Sequence, residues 1–234
     1  MKNSFLISLF FTLSPLCAFA QAGALDRALQ RTEPVLAAEF AKAAGDMPVF
    51  TVPAPVALSI GDERYSDTPA AEYLPLNKRA VLEYEFTSSE FTAAKAVRVE
   101  VMNYSAADKT AQVNMVIFNK TKPKVSNYVL TAAQDGIRST DSPLAGPRLE
   151  IPMPLAYNQV WNEGYDRHRV AALNAKVTVP AGVYNGCLKI VTKLGGGDAG
   201  TAERYYAPGV GLVYERITAE DGQQTLKLVS YQLK

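Results

Sequence analysis

Histidine, cysteine and tryptophan are nearly missing from this sequence. His168 is the one histidine among 234 residues, Trp161 the one tryptophan, and Cys17 and Cys187 the two cysteines. A lone imidazole excludes the multi-histidine zinc and iron sites, so no metal or other cofactor is expected. Excess charge of one sign is also missing. Lysine and arginine number 24 and aspartate and glutamate 23, with no block of like charges denser than residues 120–124, which reads as a turn. A near-neutral chain of this kind is not built to hold nucleic acid or an anionic membrane as an obligate partner. Long apolar runs are absent as well. The longest, residues 5–13, is too short to cross a bilayer and is followed by Ser14 and Pro15.

That short run has another reading. Lys2, the apolar residues 5–13 and the small-x-small stretch Ala18-Phe19-Ala20 make residues 1–20 a secretory signal, with cleavage near Ala20 or Ala22. Cys17 follows Pro15 and Leu16, which does not fit a bacterial lipid-anchoring site. Cleavage would take Lys2 and Cys17 with it. The mature chain would then carry no net charge, no integral membrane segment and the single cysteine Cys187, which cannot make an intramolecular disulfide. The expected location is periplasmic or secreted.

The remaining residues divide by period. Residues 21–47 read as an N-terminal helical segment: Thr32 as a cap, Val35, Leu36, Phe40, Ala43 and Ala44 as an apolar stripe, and Gly45 just past the end. Such a helix would pack on a sheet or plug a cavity. Residues 48–234 read as one antiparallel β domain. Val97, Val99 and Val101 alternate with Arg98 and Glu100, and the same two-residue period runs through 80–86, 113–117, 187–192 and 226–231. Turn signals at 106–109, 122–124, 135–136, 195–198 and 221–222 separate the strands. About ten strands of ordinary length imply a mainly β fold, a strongly curved antiparallel sheet or half or partial barrel with an N-terminal helix. Prolines at 143, 147, 152 and 154 exclude 138–153 from a central strand and suggest a long loop across the sheet mouth.

Candidate chemistry is sparse. Asp166 and His168 would share a face of one strand, but no Gly-x-Ser-x-Gly elbow supplies a nucleophile, and a surface strand of mixed charge accounts for them. No catalytic residue is expected. Cys187, among apolar neighbours, reads as a small core residue. Trp161 with Tyr157 and Tyr165 could line a mouth or pack in a core, and Tyr205 and Tyr206 would face opposite sides of one strand. These five aromatics are the candidate binding residues. Beyond them, Pro208 and Gly209 suit the two central positions of a tight turn, and Gly211 suits a bulge, so the three read as a structural corner.

The stretch YYAPGVGLV, residues 205–213, resembles the C-terminal signature of a TapB-like family of bacterial exported domains. Tyr73-Leu74-Pro75-Leu76 with Leu82-Glu83-Tyr84, and VTVPAGVYNGCL at 177–188, are similar to the same family's other motifs. Asn77-Lys78-Arg79 stands where that family commonly has glycine. The resemblance implies a curved sheet similar to the lipoprotein carriers LolA and LolB, and no transferable catalytic residues. Three functions are open at this point. The first is a non-catalytic periplasmic domain holding an apolar or amphipathic ligand, or a lipoprotein-like partner, on a concave face. The second is an envelope assembly protein with a self-filled core. The third is a hydrolase using His168.

Overall fold

The computed structural model describes residues 63–119, 122–196 and 199–234. The proposed signal and N-terminal helical segment lie outside the described residues. Twelve strands follow one another: β1 (Ala80–Ser88), β2 (Lys95–Ser105), β3 (Thr110–Ile117), β4 (Lys124–Ala133), β5 (Gly136–Ser139), β6 (Arg148–Pro152), β7 (Val160–Glu163), β8 (Asp166–Val179), β9 (Gly182–Leu194), β10 (Gly200–Ala207), β11 (Gly211–Ala219) and β12 (Gly222–Leu233). All the pairings are antiparallel, and the sheet runs β6-β5-β4-β3-β2-β1-β12-β11-β10-β9-β8-β7. Each strand therefore pairs with its neighbours in sequence except β6 and β7, which leave the one break in the sheet, and the first strand pairs with the last. This is an up-and-down meander rolled into a nearly closed barrel, the mainly β curved sheet that the alternation implies.

Closure follows from alternation plus bulges. Inward positions such as Leu82, Val99, Val113, Ile190, Leu226 and Leu228 are buried, while the residues between them are polar or partly exposed. A flat sheet would leave that apolar face wet; rolling it buries each such side chain, which stabilises by roughly 1.5–3 kcal/mol apiece. Register shifts in β1–β12, β2–β3, β5–β6, β8–β9 and β10–β11 bend the strands enough to roll.

The proline-rich middle is not one long loop. β5 and β6 occupy part of it, and Pro152 sits at the end of an edge strand, where its missing N–H costs no ladder bond. A short 3-10 turn, Ala70–Tyr73, closes one end: the Tyr73 hydroxyl donates to the Leu173 carbonyl at 2.9 Å, and Gly209 N–H donates to the Glu72 carbonyl at 2.7 Å. Pro208 and Gly209 occupy the centre of the β10–β11 turn. Val210 N–H donates to the Ala207 carbonyl at 3.1 Å across it, and Gly209 has φ +73°, which glycine adopts without strain. Gly211, at φ +109°, begins the returning strand.

Candidate functional site

The barrel interior is not uniformly apolar. Arg148 and Glu150 on β6, Arg204 and Tyr206 on β10 and Glu215 on β11 converge in it, each almost or wholly shielded from solvent. Arg148 reaches both oxygens of Glu215 in a forked pair, Oε2 at 3.2 Å, and its Nε donates to Glu150 Oε1 at 2.8 Å. Glu150 Oε1 also accepts from the Ser139 hydroxyl at 2.8 Å, and Oε2 accepts from the Tyr206 hydroxyl and, at 3.4 Å, from Arg204 Nη1. Two guanidinium groups thus face two carboxylates, and the cluster is formally neutral.

Local register explains how these charges come to point inward. Ile137 pairs with Ile151 and Arg138 with Leu149, which leaves Glu150 as an extra residue in β6. That bulge turns Glu150 toward the core despite its apolar neighbours. On β10, Ala202, Arg204 and Tyr206 share the inward parity, while Glu203 and Tyr205 face out.

The electrostatics follow from the pairing. Burial alone would raise the Glu150 carboxyl, but the charges of Arg148 and Arg204 outweigh it and hold the group at about 2. Burial would likewise lower Arg148, yet Glu150 and Glu215 keep it well above the usual guanidinium value. Burial raises the phenols of Tyr84, Tyr128 and Tyr206, so all three stay neutral donors. Ion pairs this deep gain little net energy over apolar packing, but removing one partner strands the other.

The same cluster bears on the open seam. Across the β6–β7 break, the Glu163 carboxylate accepts the Leu149 N–H with both oxygens, at 3.0 and 2.9 Å, and pairs with Arg138 of β5 at 3.0 Å. A side chain from β7 thereby replaces the ladder bond that a thirteenth strand would supply.

His168 lies beside this seam, inside the barrel rather than on a surface strand. It is 5% exposed, its Nδ1 is 2.7 Å from the Thr192 hydroxyl, and its ring stacks on Trp161 with centroids 5.1 Å apart. The mixed-charge pattern misled because Arg167 and Arg169 face out while His168 faces in. Burial, then the nearby Arg204 charge, lower its basicity to about 4 against the opposing pull of Glu163 and Asp166. Such an imidazole is neutral near pH 7, and among the described residues its Nε2 has no hydrogen-bonded hydroxyl or thiol to activate. Cys187 is fully buried, and burial pushes its thiol up to about 12, far from a reactive thiolate.

The five candidate aromatics do not form one site. Trp161 packs inward on His168, and Tyr206 is buried in the charged cluster. Tyr205 lies on the outer face, edge-on to Tyr214 at 5.6 Å with Lys189 over its ring. Tyr157 is half-exposed, and Tyr165, 86% exposed, stands in the β7–β8 turn against Gly195 and Gly196. The charged cluster itself escaped the sequence reading; its one signal was the shared inward parity of Arg204 and Tyr206.

Two spaces accompany the cluster. One, about 50 Å³, lies in the interior between Leu82, Val113, Leu130 and Leu212, with Arg148, Glu150 and Tyr206 along its polar side. The other, about 310 Å³, opens at one end between Ser88, Glu90, Asp166, Ile217, Asp221 and Gln224. Among the described residues no group of histidine, cysteine and carboxylate side chains could hold a metal ion, and no helix is long and apolar enough to cross a membrane.

No protein-family model and no curated protein sequence matches the chain. Several solved structures are similar in shape, two crystal structures among them. One is a candidate lipoprotein from Parabacteroides distasonis, 14% identical, with 72% of this chain and 100% of that one covered at a TM-score of 0.47. The other is a candidate exported protein with a YmcC-like fold, from Bacteroides fragilis, 12% identical, with 67% and 96% covered at a TM-score of 0.47.

Proposed function

We propose that this chain is a non-catalytic, exported envelope protein of the structural or assembly kind, whose barrel interior is filled by its own side chains. The observation that carries the reading is the size and lining of the interior space. Ligand pockets for small molecules usually measure about 300–1,000 Å³. The space among the inward apolar residues is about 50 Å³, and its polar side is a charge cluster already neutralised from within. The larger opening is lined by serines, glutamines and carboxylates beside a few apolar residues, which suits an acyl chain poorly. The secretory signal in residues 1–20 and the TapB-like motifs support export. The buried, neutral His168 and the protonated Cys187 support a role without catalysis.

Native mass spectrometry of the mature chain purified from its envelope fraction tests this directly. The expected result is a bare protein mass and no saturable uptake of a fluorescent acyl probe. A stoichiometric co-purified lipid would instead establish the carrier reading.

A further inference from the structure

We propose that Trp161 Nε1, His168 Nε2 and Arg204 Nη2 enclose a site for internal water, one or two molecules, on the inner side of the β6–β7 seam. Each of these three buried atoms lacks a hydrogen-bond partner among the described residues. Native proteins rarely leave such groups unpaired, since each costs about 1–3 kcal/mol.

Topology brings the three together. Trp161 pairs with His168, His168 with Thr192, and Thr192 with Ala202, so Arg204 is two residues further along the same inner face. The Arg204 side chain crosses the interior to Glu150 on β6, and β6 meets β7 through the Leu149–Glu163 bond. Indole, imidazole and guanidinium therefore flank one stretch of the seam. The Glu163 Oε2 atom, 3.6 Å from His168 Nε2, favours the tautomer with its proton on Nε2, while Nδ1 accepts from Thr192. The site then presents three donors and asks for an acceptor.

Charge and size choose the guest. Arg148 and Arg204 are balanced by Glu150 and Glu215, and Glu163 by Arg138. An anion would add an unmatched buried charge, which costs several kcal/mol. A water needs only about 10–15 Å³. One water accepts from two of the three donors and donates to Glu163, giving the roughly three bonds usual for internal waters, and a second serves the third donor.

Trp161 is the only tryptophan, so its indole N–H gives a single proton resonance in the mature protein. The expected result is a cross-peak from that proton to slowly exchanging water, with no saturable shift when sodium chloride or sodium formate is added. His168→Phe keeps the ring stack but removes one donor, and should weaken the cross-peak severalfold. A missing water cross-peak in the unaltered protein, or a saturable shift with formate, overturns the proposal. So does a folded His168→Phe protein with an unchanged cross-peak.

Discussion

One wall of the barrel, from β1, β2, β3 and β12, is lined by Leu82, Val99, Val113, Leu226 and Leu228; a second, charged wall is built by Arg148 and Glu150 of β6 and, across the interior from them, Arg204 of β10 and Glu215 of β11. The first wall is the middle of the sheet, where each strand has a ladder on both sides. There the backbone is fully paired, and side chains need only fill volume. The second wall includes β6, an edge strand laddered on one side alone. Its two charged residues reach across to β10 and β11. On β6 ion pairing thus supplements a one-sided ladder, and the partners Arg204 and Glu215 answer it from β10 and β11, which are laddered on both sides.

The sharpest way to break this contrast is to strand a charge. Glu215→Leu should leave Arg148 with half its partners and cost about 3–5 kcal/mol, read as a lower urea midpoint at pH 7. On the apolar wall, Leu228→Ala should cost about 2–4 kcal/mol by lost burial and a cavity. Its cost should not vary with pH.

Acid should separate the walls further. His168 is held at about 4 against an ordinary 6.5, so its neutral form favours folding. That contribution is complete above pH 6.5 and is lost as the pH falls to 4. Glu150 is held at about 2 against 4.5, so its stabilisation is complete above pH 4.5 and lost as the pH falls to 2. Stability should therefore decline in two stages on acidification, and His168→Phe should remove only the first. Unfolding midpoints measured from pH 7 to pH 3 check both stages. The smallest effect is expected outside both walls: Tyr165→Ala, at an exposed turn, should shift stability by less than about 0.5 kcal/mol.

What the sequence disclosed and what it hid divide along the same line. The apolar wall was legible because Val97, Val99 and Val101 alternate with charged residues, and strict two-residue periodicity has one structural meaning. The hairpin turns were legible from glycine, proline and aspartate. The charged wall was not, because a buried Arg204 and an exposed Arg98 look alike until their partners are known. Glu150 was further hidden by its bulge, which breaks the parity that a reader must assume. His168 was placed outside for a related reason: the arginines on either side of it made an inward position look polar. The β6–β7 closure was invisible too, since Glu163 and Leu149 are joined only after the whole meander has rolled up.

The central claim is that the charged wall braces itself across the barrel. A double-mutant cycle between Arg148 and Glu215, with Arg148→Met and Glu215→Leu singly and together, measures that brace. The account expects a coupling of about 1.5–3 kcal/mol, with the double substitution less destabilising than the two single costs combined. Additivity within about 0.5 kcal/mol would contradict it.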